Sequence, residues 1–139
     1  MKLRLYFIGK PRDRAANTMA AEFVKRSNRY ARCEMRELHP ARLDPWAHHP
    51  AAVKVALDPA GRLLDSREFV GMVERWEREG REAVFLLGGA HGLPAGWAER
   101  ADVRLALSPL TFPHELARVL LAEQIYRALT TLHGHPYPR

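Results

Sequence analysis

Apolar and polar residues alternate at the start of the chain, with Leu3, Leu5 and Phe7 set against Lys2, Arg4 and Tyr6. That period of two predicts a strand over residues 2–8, which Gly9-Lys-Pro11 interrupts. The period then changes. Ala16, Met19, Ala20, Phe23 and Val24 fall on one face of a helix over 13–30, with Arg14, Lys25, Arg26 and Arg29 elsewhere on it. Residues 32–38 fit a short second strand. The three prolines of 39–51 remove backbone donors and restrict their predecessors, which predicts a loop. Val53 to Leu57 reads as a third strand, stopped by the turn composition Asp58-Pro-Ala-Gly61.

Asp65-Ser-Arg-Glu68 has the form of a capping box ahead of Phe69, Val73 and Trp76, and Gly80 supplies the stop. Ala83 to Leu87 is apolar on both faces, as a central parallel strand is, and Val103 to Leu107 predicts another. A final helix starts near Pro113 and runs to about Leu132. Leu116, Val119, Leu120, Leu121, Ile125, Ala128 and Leu129 circle most of it, so the helix should be largely buried, with one face against a partner subunit. Strands alternating with helices define an α/β class: a mostly parallel sheet flanked by helices.

Composition adds bounds. The 139 residues suit one domain spanning 1–139. No apolar run nears the roughly 18 residues a membrane span needs, the N-terminus lacks a signal-peptide core, and the single cysteine excludes an internal disulfide. A cytoplasmic address is the expectation. Charge changes the picture more. Residues 1–42 hold 11 Lys and Arg against 4 Asp and Glu, whereas the rest of the chain is nearly balanced. A basic N-terminal third implies a polyanionic partner such as RNA, or simply a solvated helix face.

Chemistry concentrates in two loops, each after a strand and before a helix. Gly88-Gly-Ala-His-Gly92 is a sharp bend that lacks the Gly-Lys-Ser/Thr of a phosphate loop and the full dinucleotide fingerprint. Ser108-Pro-Leu-Thr-Phe-Pro113 leads into the last helix. Together they suggest a ligand site at the carboxyl edge of a parallel sheet, where an adenosine-like group can be held by its edges. His114 in the first turn can accept a proton or cap its own helix. Adjacent His48 and His49 lack metal-ligand spacing, so no metal is expected, and Cys33 reads as core. No nucleophile elbow or carboxylate pair is present.

Several motifs then converge: Leu86-Leu-Gly-Gly with Gly92-Leu93, Leu107-Ser with Leu110-Thr and Pro113-His114, Arg118-Val-Leu with Ala122-Glu-Gln-Ile-Tyr-Arg127, and His135-Pro-Tyr137. Over nearly its whole length the chain resembles the RlmH family of SPOUT methyltransferases, which methylate N3 of a pseudouridine in 23S ribosomal RNA. The resemblance implies a C-terminal trefoil knot, a rare exception to the rule against knots. It also implies S-adenosylmethionine as cofactor and a homodimer acting on the ribosome. The implied cofactor site is Leu57, Gly89, Ser108, Pro109, Leu110, Thr111, Phe112 and Pro113.

The transfer needs positioning and a proton acceptor for the ring N–H. His135, Tyr137 and His114 are the candidates, with His135 preferred because a mobile tail can close over the target base. Arg118 is a candidate for a phosphate or the cofactor carboxylate, or for an ion pair with Glu123. Lys10, Arg12, Arg14, Lys25, Arg26 and Arg29 are candidates for RNA backbone contact.

Three departures from the family pattern stand out. Ala90-His91 replaces the usual Pro-Glu, and Pro138 replaces a histidine. The chain is also about 15 residues shorter than typical members near 39–51, close to one average helix. They motivate a rival reading, a SPOUT homologue that binds RNA or cofactor without methyl transfer. A second rival is a doubly wound nucleotide-binding enzyme with no knot.

Overall fold

The computed structural model describes residues 1–138. Five strands, β1 (Lys2–Ile8), β2 (Arg32–Leu38), β3 (Val53–Leu63), β4 (Ala83–Leu87) and β5 (Val103–Ala106), form one parallel sheet. Their order is β2-β1-β4-β3-β5. The helices are α1 (Arg14–Ser27), α2 (Pro45–His48), α3 (Ser66–Glu79) and α4 (His114–Leu132).

Alternation along each strand sorts side chains to two cores. Leu3, Leu5 and Phe7 with Val55, Phe85 and Leu87 face Val73, Trp76, Leu121 and Ile125 of α3 and α4. Tyr6, Ala56, Val84 and Leu86 face Trp46 of α2 and the segment around Trp97 on the other side. All five residues of β4 are buried, which is why the strand carries no polar position. The Asp65–Glu68 capping box forms, and Gly80 closes α3 in the left-handed conformation at φ 65°.

Two local expectations change. The 39–51 loop contains α2, a single turn. Asp44 accepts the N–H groups of Trp46 and Ala47, and Pro45 stands at the start, where its missing N–H does no harm. Trp46 is then buried and donates its indole N–H to the Trp97 carbonyl at 2.9 Å. The 58–61 turn does not end β3. It forms a bulge, with Leu57 and Arg62 both in register with Leu105 and Asp58 accepting the Ala60 N–H at 2.9 Å.

The last helix is largely buried, as expected. It packs between α1 and α3, so most of its apolar circumference is buried within the chain. Leu116, at 42% exposed, is the main apolar residue it leaves to solvent. Because β5 is the outermost strand, residues 107–113 must cross the β3–α3 connection for α4 to reach this central place.

Candidate active site

Three chain segments meet at the carboxyl edge of the sheet. Beyond β4 the glycine bend closes on itself: Gly92 (φ 77°) donates to the Gly89 carbonyl at 3.0 Å. A Cβ at Gly88 would stand 2.5 Å from the Gly92 carbonyl carbon. One at Gly89 would stand 2.8 Å from the Ile8 carbonyl oxygen. Only glycine lets these backbones approach so closely. Leu57, at the start of the β3 bulge, supplies a second wall.

The loop after β5 supplies the third. Leu110 donates its N–H to Ser108 Oγ at 3.0 Å, while the amides of Ser108, Thr111 and Phe112 have no partner among the described residues. Leu57, Gly89, Ser108, Pro109, Leu110, Thr111 and Phe112 line a single cleft, and His114 joins them from the first turn of α4. Pro113 does not line it. It is the N-cap residue of α4, immediately behind. Asp58, Leu107 and Ala117 also line the cleft. In the sequence Asp58 signals a turn and Leu107 opens one of the family-like motifs, neither assigned to the site, and nothing marks Ala117.

Other expected site residues lie elsewhere. His135 sits past the far end of α4, roughly 27 Å along the helix from His114, and from there the tail turns back so that Tyr137 lies against the middle of the helix. The tail does not swing free there. The His135 N–H donates to the Thr130 carbonyl at 2.9 Å, and the Tyr137 N–H donates to His135 Nδ1 at 3.1 Å. The Tyr137 hydroxyl donates to Glu123 at 2.6 Å, and its ring packs on Tyr126 and Phe23 beneath the Arg127 guanidinium. Burial, then the Glu123 hydrogen bond, pushes the Tyr137 phenol up to about 12. A tail so fastened cannot close over the cleft of its own chain.

Arg118 is a correction. It is 0% exposed and so is not a surface contact for RNA, and its acidic neighbour is Glu115 at 3.6 Å rather than Glu123, which pairs with Arg127 at 2.9 Å. The guanidinium donates to the carbonyls of Ile8 and Gly9 at 3.0 and 3.3 Å and stacks on Phe7. Burial pulls its pKa down, with Glu115 opposing. The basic surface residues divide as well. Lys10, Arg12 and Arg14 lie on the carboxyl edge beside the cleft. Lys25, Arg26 and Arg29 lie at the other end of α1, about 18 Å from Arg14 to Arg26 along the axis. Arg26 is paired with Glu22 at 2.9 Å.

Among the described residues no helix is long and apolar enough to cross a membrane. No group of three His, Cys, Asp or Glu among them is placed to hold a metal ion.

Known proteins resemble this chain in sequence and in fold. Residues 1–138 match the family described as predicted SPOUT methyltransferase. A relative from Solibacter usitatus is 56% identical over 139 residues, the whole of both chains. One from Thermus thermophilus is 42% identical over 140 residues, covering 100% of this chain and 99% of the relative. Both carry the name ribosomal RNA large subunit methyltransferase H. So does one from Laribacter hongkongensis, 35% identical over 155 residues and covering 100% of this chain and 99% of that one.

Among solved structures, a probable methylase family protein from Haemophilus influenzae superposes with a TM-score of 0.62 at 11% identity, over 99% of this chain and 70% of that one. A probable methyltransferase from Bordetella pertussis gives 0.61 at 13%, over 92% and 96%. Identities that low establish the fold alone.

Fold and comparisons together define the class, an α/β methyltransferase built on a parallel sheet. The chain belongs to the SPOUT methyltransferase family, alongside the proteins named ribosomal RNA large subunit methyltransferase H. The family implies a trefoil knot in the C-terminal part, and membership in it stands against the unknotted rival. The short 39–51 region is shared, since the Solibacter and Thermus relatives align end to end without added length.

Proposed function

We propose that the protein transfers a methyl group from S-adenosylmethionine to N3 of a pseudouridine in 23S rRNA of the large ribosomal subunit. The observation that carries this reading is the convergence of Leu57, Gly89 and Ser108–Phe112 on one cleft in a chain 56% identical to a named rRNA methyltransferase.

The residues fit such a donor. Gly89 lets the bend pack against the Ile8 backbone and so shapes the cleft wall, Leu57 and Phe112 offer apolar flanks, and the unpaired amides of Thr111 and Phe112 suit the acceptors on an adenine edge. When bound, S-adenosylmethionine supplies a methyl group on a sulfonium, open to attack by a ring nitrogen. Protein groups then have two tasks. The loop 108–112 and the glycine bend hold the donor in place, where small displacements are costly. His114 is the one candidate acceptor in the cleft of the same chain, and its imidazole can take the proton that N3 loses.

His135 and Tyr137 serve catalysis only across a homodimer, with the tail of one protomer at the cleft of its partner. Leu116 and Leu110, 42% and 72% exposed on α4 and the loop before it, supply apolar surface for such an interface. Lys10, Arg12 and Arg14 at the rim are assigned to RNA phosphates. The Lys25, Arg26 and Arg29 end of α1 lies beside the tail and meets RNA only if the partner's cleft does. Ribosomal RNA as substrate places the protein in the cytoplasm.

The deciding experiment supplies methyl-labelled S-adenosylmethionine and ribosomes lacking the native modification. Label is expected at N3 of one pseudouridine. Donor binding without any incorporation would refute the enzymatic reading and leave a binding homologue. Sedimentation together with mixed His135→Ala and His114→Ala protomers tests the shared site, because two inactive variants regain activity only when each cleft takes its tail from the other chain.

A further inference from the structure

The loop joining β1 to α1, residues 9–13, has two faces. On the inner face, Gly9 (φ 104°) packs beside the cleft: a Cβ there would stand 3.8 Å from Gly89 Cα and 3.9 Å from His114 Nε2. On the outer face, Lys10 and Arg12 are exposed and have no carboxylate partner among the described residues.

Both ends of this loop are gripped by the first turn of α4. At its start, Arg118 donates to the carbonyls of Ile8 and Gly9. At its end, the Glu115 carboxylate accepts the N–H groups of Arg12 and of Asp13, the latter at 2.8 Å. These bonds hold the Glu115 carboxyl below its ordinary range, the Arg12 amide being the largest cause.

Arg118 is an expensive side chain to bury. It has no solvent exposure, and its Nε and Nη1 have no hydrogen-bond partner among the described residues. A well-packed apolar residue would serve stability better than a half-satisfied buried cation. What Arg118 does that an apolar residue cannot is hold two carbonyls at the edge of the cleft. The same helical turn follows directly from the loop 108–113, whose residues line that cleft. Contacts made there and the grip on residues 9–13 therefore share one rigid segment.

We propose that Glu115 and Arg118 are positioning residues. They form a two-point clamp that sets the 9–13 loop for the methyl donor on its Gly9 side and for an RNA backbone on its Lys10 and Arg12 side, so that each ligand tightens the other. The proposal rests on reading the cleft as the donor site. Because coupling is reciprocal, either affinity can report it.

The test measures the Kd for S-adenosylhomocysteine, a non-reacting probe, by calorimetry. It also measures binding to ribosomes lacking the modification, with and without the probe. In the intact protein the probe is expected to tighten ribosome binding about tenfold, within the usual range of such couplings. Glu115→Ala, at the rim, is expected to unfold near the native temperature, to weaken probe binding severalfold and to bring the tightening close to onefold. Arg118→Lys, whose nitrogen ends one bond short of the Nη2 that donates to both carbonyls, should loosen the grip and act in the same direction. A folded Glu115→Ala protein with unchanged probe Kd and unchanged tightening would overturn the clamp. If Arg118→Lys does not fold, Glu115→Ala decides alone. Intact protein that neither binds the probe nor methylates would instead overturn the donor-site reading, a result distinct from both.

Discussion

Adding one methyl group at Gly89 should harm this protein, while adding the same group at Gly71 should help it. At Gly89 the new Cβ would stand 2.8 Å from the Ile8 carbonyl oxygen, roughly 0.6 Å inside the 3.4 Å at which ordinary contact begins. The obstacle is backbone in the sheet, which Arg118 holds from behind, so the glycine bend must move instead. Overpacking of this kind costs about 1–3 kcal/mol. A wall of the cleft displaced by about half an ångström exceeds the tolerance of a preorganised site, so affinity should fall by a factor of ten or more. Gly71 lies inside α3 with nothing within 4 Å of its Cβ position, so Ala there should add about 0.5–1 kcal/mol through helix propensity. Thermal unfolding and calorimetric titration with S-adenosylmethionine on both variants read the contrast. Gly89→Ala with native melting temperature and native donor affinity would show that the bend is not a wall of the site.

Three further outcomes follow from the geometry. Cys33 is buried, and its thiol is pushed up to about 12 from an ordinary 9.0. A raised folded-state value means its contribution to stability is complete below pH 9 and is lost as pH climbs toward 12, reaching about 2 kcal/mol lost near pH 10.5. Urea unfolding at pH 8 and 10.5 should show that slope, and Cys33→Ala should flatten it. Trp46→Phe removes the indole donor to the Trp97 carbonyl, which keeps the Arg100 N–H as its other donor, so the lost hydrogen bond should cost about 0.5–1.5 kcal/mol in chemical denaturation with donor affinity unaffected. Asp65→Ala removes the cap of α3 and half of its capping box, which should lower stability by about 1 kcal/mol; no change in melting would refute the energetic role given to the box.

Features governed by local chemistry are legible in the chain, and features governed by distance are not. β1, β4 and α3 follow from period, apolar continuity and the Asp65 cap, all within a few residues. The cleft is legible because Gly89 and Ser108–Phe112 each follow a strand of one parallel sheet, and parallel strands end on the same edge. The tail is not. His135 and Tyr137 look available in sequence, yet a 19-residue helix carries the tail away from the cleft, and Thr130 and Glu123 fasten it there. The sequence offers Arg118 two acids, Glu115 three residues before it and Glu123 five after it, and pairing it with Glu123 picks the wrong one. Helical geometry decides between them: a separation of three shares a face and a separation of five does not. The β3 bulge is hidden because Asp58-Pro-Ala-Gly61 specifies a turn and says nothing about whether pairing resumes after it.

The central place of α4 also bears on how the molecule is made. Synthesis proceeds from the N-terminus, so this helix and the loop before it emerge last, after every element that must surround them. The strands can pair earlier, but the core on the α3 side keeps an unfilled slot between α1 and α3 until residues 107–132 arrive. Contacts of such long sequence separation form slowly. A nascent chain should therefore pass through a compact, incompletely packed stage without a donor cleft. Loss of α4 would remove the middle of the fold along with its end.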